Sequence, residues 1–133
     1  MILGLGIDLL SENRIEKLLI KFTDKFVGRV LSNEELKLFD GINEYKKINF
    51  LTKRFSAKEA FLKAVGIGMG RGITFQNISI LNDKLGRPIL NVDDEAMDFL
   101  NKLYNITTDN KLLFNISLTD EKGLVATVVT ISK

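Results

Sequence analysis

Two carboxylates and a lysine are the residues through which this chain could do chemistry: Asp8, in the apolar opening MILGLGIDLL, and Glu59 and Lys63, in the segment RFSAKEAFLKAVGIG. A carboxylate offered by a strand and another offered by a helix can together hold one magnesium ion, with water and a phosphate-bearing substrate completing an octahedral oxygen shell. Each residue also has a plainer account. An aspartate near a strand end commonly satisfies nearby backbone amides. Glu59 has capping-box spacing from Ser56 and the i,i+4 spacing to Lys63 of a helical ion pair worth roughly 0.2–0.5 kcal/mol. On spacing alone, helix stabilisation is the more economical reading of Glu59.

The cations around the same segment shift that balance. Lys53, Arg54, Lys58 and Lys63 crowd one helical stretch, and Arg71 follows beyond the glycines. Arginine grips phosphate oxygens through a planar fork and lysine supplies a point charge, so the group suits a polyphosphate ligand; a solvated basic face is the bland alternative. Gly66, Gly68, Gly70 and Gly72 come after the helix. Phosphate loops of the Walker type and dinucleotide fingerprints put their glycines before one, so both motifs are excluded. Gly66 reads as a helix C-cap and the remaining glycines as a segment that could cover a ligand.

Absences narrow the chemistry further. The sequence contains no cysteine and no histidine, which removes disulfides, thiolate nucleophiles, histidine bases and ordinary zinc sites, and leaves a hard cation held by oxygen as the metal of choice. The balance of 19 basic against 17 acidic residues gives no ground for a nucleic-acid partner. The opening segment lacks a basic n-region, and no uncharged apolar run reaches the roughly 18 residues of a membrane helix. A soluble, cytoplasmic protein with no membrane partner is therefore expected.

The elements that must position these residues can be read from periodicity. Residues 2–8 fit a short buried strand. Ser11 caps a helix with the apolar stripe Ile15, Leu18, Leu19 and Phe22, beside which Arg14, Lys17, Lys21 and Lys25 form a basic ridge. Ser32 and Glu35 have the spacing of a capping box that starts a second helix. A third helix runs from about residue 48 to residue 65. The segments ISILND and PILNV read as strands joined by a turn, Asp93 or Asp94 caps a helix to about Tyr104, and KLLFNISL and GLVATVVTI read as antiparallel strands separated by TDEK. With 133 residues, 45% of them hydrophobic, and no repeat or linker, the chain reads as one α+β domain, residues 1–133, with a small antiparallel sheet packed by helices.

Three of these segments, GIDLLSENRI, RFSAKEAFLKAVGIG and NDKLGRPIL, together resemble the holo-acyl-carrier-protein synthase family of phosphopantetheinyl transferases, and the resemblance covers most of the chain. It implies that family's fold and its reaction: transfer of 4′-phosphopantetheine from coenzyme A to a serine of apo-acyl carrier protein, releasing adenosine 3′,5′-bisphosphate, in support of fatty acid biosynthesis. It implies Asp8 and Glu59 as magnesium ligands and Glu59 and Lys63 as catalytic residues. Arg54, Lys58, Lys63, Gly66 and Gly68 would surround coenzyme A. Arg14 would meet the acidic helix of the carrier protein, with Lys17, Lys21 and Lys25 added to that surface by helical spacing. A homotrimer with active sites between subunits is implied as well.

The acceptor of the serine proton stays open among Glu59, a metal-bound water and Glu35. Two positions depart from the family pattern. Thr119 and Asp120 stand where a Ser-His pair is usual, which removes a phosphate-binding histidine unless a nearby cation compensates. Ser11 replaces a glutamate three residues after Asp8. A non-catalytic carrier-protein or nucleotide-binding module of the same fold is the alternative that these departures support.

Overall fold

The computed structural model describes residues Met1–Lys133. The chain runs β1 (Ile2–Ser11), α1 (Glu12–Val30), α2 (Asn33–Gly41), α3 (Glu44–Val65), β2 (Ile78–Asn82), β3 (Pro88–Val92), α4 (Asp94–Leu103), β4 (Leu113–Glu121) and β5 (Leu124–Ser132). Strands β1, β5 and β4 form an antiparallel sheet in that order, and β2 and β3 form a separate antiparallel hairpin. The α+β expectation holds, with the strands divided between two small sheets. No helix is long and apolar enough to cross a membrane.

Helix α3 is the central element. Its buried residues, among them Leu51, Ala57, Ala60, Phe61, Leu62 and Val65, leave little of its circumference to solvent, as expected for a helix enclosed by other elements. It lies unusually close to β1 because β1 has no side chains in the way. A methyl group at Gly6 would collide with the Ala60 carbonyl oxygen and the Ala64 amide, and one at Gly4 with the Ala64 carbonyl oxygen. Gly4, Gly6 and Asp8 point to the same face of the strand at period two. The approach that the glycines permit therefore carries Asp8 against the helix as well.

Several capping signals are realised as read. Ser11 Oγ accepts from the Arg14 amide at 3.3 Å. Ser32 and Glu35 form a full capping box on α2, and Asp93 Oδ1 accepts from the Ala96 amide at 2.9 Å on α4. Elsewhere the structure differs. Ser56 lies inside α3 and is buried, so it caps nothing and instead shares a 2.9 Å hydrogen bond with Thr127 on β5. Strand β1 extends to Ser11 and only one face is covered: Leu5, Ile7 and Leu9 on the other face are 65–68% exposed. Strand β4 runs on through TDEK to Glu121 and β5 starts at Leu124, leaving Lys122 and Gly123, both at positive φ, as a two-residue hairpin turn. Helix α1 breaks at Thr23 (φ 48°, ψ −132°), so the regular spacing that aligned Lys25 with Arg14, Lys17 and Lys21 is interrupted, and Phe22 is 45% exposed.

Candidate active site

The close approach of β1 and α3 builds the site. Lys63 Nζ donates to Asp8 Oδ1 at 2.9 Å and to the Ile7 carbonyl at 3.0 Å, while half of the lysine side chain stays exposed. Glu59 is one helical turn before Lys63 and shares its side of α3. Its carboxyl is pushed above the usual glutamate range, first by burial and then by the negative charge of Asp8, with Lys63 and Arg14 pulling the other way. Asp8, Glu59, Lys63 and Arg14 thus form one electrostatic group where the C-terminal part of β1, the first turn of α1 and the last turns of α3 meet; the family resemblance puts Arg14 on the carrier-protein surface.

This group fits a divalent cation. Asp8 Oδ2 is buried and has no hydrogen-bond partner, an expensive condition for a carboxylate oxygen unless something positive meets it. The proton affinity of Glu59 is raised chiefly by its own burial and then by the negative charge of Asp8, both of which a bound cation would relieve. Two carboxylates with no histidine or cysteine are a hard, oxygen-only donor set that leaves most of an octahedral shell to water and substrate.

Helix α3 ends where predicted. Gly66 adopts a left-handed φ of 81°, with its amide donating to the Leu62 and Lys63 carbonyls at 3.0 and 3.2 Å. This C-cap is the reason for glycine there. Gly68 has ordinary backbone geometry and open space around it, so nothing in the fold itself demands a glycine at that position.

Two candidates are corrected by burial. Lys58 was placed beside coenzyme A, but its side chain is fully buried and its ammonium is consumed internally. It donates to the Val30 carbonyl at 2.6 Å, to the Phe75 carbonyl at 2.9 Å, and to Glu35 Oε1 in a short ion pair. Burial pulls it down to about 8 even with Glu35 alongside. Glu35 is likewise removed as a proton acceptor for the reaction: besides Lys58 it accepts from the Ser32 amide at 2.9 Å and the Ile80 amide at 3.1 Å, with no exposed surface. No sequence signal distinguished Lys58 from its exposed neighbours, because α3 is enclosed on nearly every side.

Arg54 keeps its place at a cavity. It stacks on Phe50, 3.8 Å from the ring centroid, donates to Asn82 Oδ1 at 3.2 Å, and helps line a cavity of about 630 Å³ with Glu34, Lys37, Leu38 and Leu81. A smaller cavity of about 360 Å³ on its other side is bordered by Lys46, Asn49 and Lys53. Asp120, where the family pattern has histidine, pairs with Lys53 at 3.1 Å and accepts from Asn49 at 3.1 Å, which holds its carboxyl below the usual range. Lys53 thus neutralises the charge that Asp120 brings to the position. Asn49 also donates to Glu12 Oε1 at 2.6 Å, tying the start of α1 to the end of β4 through α3. On α1, Arg14, Lys17, Lys21 and Lys25 are all exposed. Lys25, beyond the break, borders a groove with Leu18, Phe22, Phe26 and Arg29.

Comparison with known proteins places the chain in a family. The profile of the 4′-phosphopantetheinyl transferase superfamily matches residues 4–128. The chain is 44% identical over 131 residues to a holo-(acyl-carrier-protein) synthase of Blochmanniella floridana, covering 98% of both chains. It is 41% identical over 132 residues to the synthase of Wigglesworthia glossinidia brevipalpis, covering 96% of this chain and 91% of that one. The crystal structure of the synthase from Neisseria meningitidis superposes with a TM-score of 0.86 at 38% identity, over 100% of both chains. That of a synthase from Bacillus anthracis in complex with coenzyme A (3′,5′-ADP) superposes with a TM-score of 0.77 at 32% identity, over 98% of this chain and 96% of that one. With a matching family model, a matching fold and identity sustained along nearly the whole chain, this protein belongs to the holo-acyl-carrier-protein synthase family within the 4′-phosphopantetheinyl transferase superfamily.

Proposed function

We propose that the chain transfers the 4′-phosphopantetheine group of coenzyme A to a serine hydroxyl of apo-acyl carrier protein, releasing adenosine 3′,5′-bisphosphate. The observation that carries this reading is the meeting of Asp8, Glu59 and Lys63 where β1 and α3 approach, in a member of a family whose relatives bear the synthase name. The serine oxygen forms a bond to the β-phosphorus as the bond from that phosphorus to the bridging oxygen breaks, and the serine proton must leave. Glu59 is the side chain at the site that could accept it, and a metal-bound water is the other acceptor that remains once Glu35 is enclosed in the core. Lys63, anchored by Asp8 but half exposed, offers a positive charge to the phosphate oxygens that gain charge.

Asp8 and Glu59 would hold magnesium, which supplies charge neutralisation and Lewis acidity at the pyrophosphate when bound. Arg54 and the Gly66 to Gly68 turn would flank coenzyme A, and Arg14, Lys17, Lys21 and Lys25 would face the acidic carrier protein. The exposed apolar face of Leu5, Ile7 and Leu9 supports a homotrimer, since soluble monomers seldom expose so large an apolar surface. The reading places the protein in the cytoplasm, in fatty acid biosynthesis, with no nucleic-acid or membrane partner. The Lys53–Asp120 pair weakens the case for a non-catalytic module, which rested on the missing histidine.

Intact-mass analysis tests the proposal directly. Apo-acyl carrier protein incubated with the chain, coenzyme A and magnesium should gain the mass of one phosphopantetheine group, and a control lacking the metal should not. No gain, with folded protein and a carrier that another transferase can load, would overturn it.

A further inference from the structure

We infer that the buried Glu35–Lys58 pair is a positioning device for the coenzyme A cavity, setting the distance between the α2 wall and Arg54. The inference rests on the reading above in one respect, that Arg54 contacts coenzyme A.

The geometry is a four-way junction. Lys58, on α3, uses all three ammonium protons on the Val30 carbonyl at the end of α1, the Phe75 carbonyl before β2, and Glu35 Oε1 in the first turn of α2. Glu35 passes the linkage on: one oxygen also accepts from the Ser32 amide, and the other accepts from the Ile80 amide on β2. That second oxygen lies 3.9 Å from Arg54 Nε, which is buried with no hydrogen-bond partner. Glu35 is the one carboxylate paired with Arg54, and Arg54 is one α-helical turn before Lys58, so both cations on α3 converge on the same glutamate. The residue before Glu35 is Glu34, which with Lys37 and Leu38 forms the α2 side of the cavity whose other side carries Phe50 and Arg54. Pinning Glu35 therefore fixes both the cavity wall and the guanidinium that faces it.

A pair needed only for stability could be replaced by an uncharged pair of similar shape with little further consequence. A pair that orients Arg54 could not, because the guanidinium would lose the charge that turns it. The double variant Glu35→Gln with Lys58→Met removes both charges of the pair together, so neither of its members is left as an unpaired ion, and it takes from Arg54 its one carboxylate. Glu35→Asp keeps the charge for Lys58 and withdraws the carboxylate from Arg54 and Ile80 by one methylene, providing a second route if the double variant does not fold.

The measurement is steady-state kinetics with coenzyme A and apo-acyl carrier protein varied separately, with folding checked by circular dichroism. KM for coenzyme A should rise about tenfold, the size of one weakened charge-assisted contact, while kcat at saturation and KM for the carrier protein stay within about twofold. Arg54→Gln is measured alongside. If Arg54→Gln raises KM for coenzyme A but neither folded Glu35 variant does, the positioning role is wrong and the reading of Arg54 stands. If Arg54→Gln leaves that KM unchanged, the reading of Arg54 as a coenzyme A contact is wrong, and the inference falls with it.

Discussion

Glu59 holds its proton more tightly in the folded chain than in the unfolded one, since burial and Asp8 both oppose its charge. A group of this kind adds stability that is complete below its unfolded pKa and is lost as pH rises through the higher folded value. At pH 7 the metal-free protein therefore carries a destabilising carboxylate. Glu59→Gln should abolish turnover yet raise the melting temperature of the metal-free protein modestly, since solvent screens the partly exposed carboxylate. The gain should shrink toward pH 4, where the wild-type glutamate is itself protonated. Scanning calorimetry across that pH range checks both statements, and a lowered melting temperature at pH 7 would contradict the electrostatic account. Lys58, one residue earlier, behaves oppositely. Lys58→Met alone takes the close ammonium from the buried Glu35 carboxylate, leaving it Arg54 at 3.9 Å and two backbone amides, and should cost about 3 kcal/mol, measured by urea unfolding. Spacing alone favours plain structural readings of Asp8 and Glu59, and the family resemblance is what groups them with Lys63; neither separates Lys58 from Glu59, because polarity is visible in a sequence and enclosure is not.

At the scale of elements, the site exists because a strand and a helix touch backbone to backbone. The signal for that contact was present in Gly4 and Gly6, spaced at the period of a strand face, and in Ala57, Ala60 and Ala64 on α3. It carried no functional mark, since glycine and alanine do no chemistry. Gly6→Ala places a methyl group against the Ala60 carbonyl and the Ala64 amide, with no flexible side chain to give way. It should cost about 1–3 kcal/mol, as overpacked cores do, and lower kcat more than a comparable loss of stability elsewhere, because the displaced helix carries Glu59 and Lys63; the two effects are compared by unfolding and by turnover on the same preparation. Capping residues made the helix starts legible, with Ser11, Ser32 and Asp93 each marking one. The break at Thr23 left no such mark, because a β-branched residue at positive φ is what propensity argues against. The ridge before the break, Arg14 to Lys21, remains on one regular helix. Charge reversal at Arg14 and Lys21 should raise the carrier-protein KM at least about tenfold at low salt, and the ratio to wild type should fall as ionic strength rises, while KM for coenzyme A stays near wild type.

For the whole molecule, the same β1 that presents Asp8 inward at even positions presents Leu5, Ile7 and Leu9 outward at odd ones, next to Thr130, Val128 and Ala126 of β5 in the strand register. A one-sided sheet of a lone soluble chain would alternate apolar inside with polar outside. Here both faces of β1 are apolar, so the strand reads as buried twice: once against α3 and once against something the single chain does not contain. The proposed homotrimer would supply that cover with three identical surfaces, and would place the outer face of β1 in the interface while the inner face of the same strand carries Asp8. Leu5→Glu tests this at a position whose side chain points away from α3 and lies three residues from Asp8. Three buried copies of the new charge would oppose one another across the assembly, so the variant should sediment as a monomer at micromolar concentration where the wild type sediments as a trimer, with the circular dichroism of the folded chain retained. Turnover should fall with the assembly and recover in proportion to any trimer regained at higher protein concentration. A fully trimeric Leu5→Glu protein would show that the outer face of the sheet is not where the subunits meet.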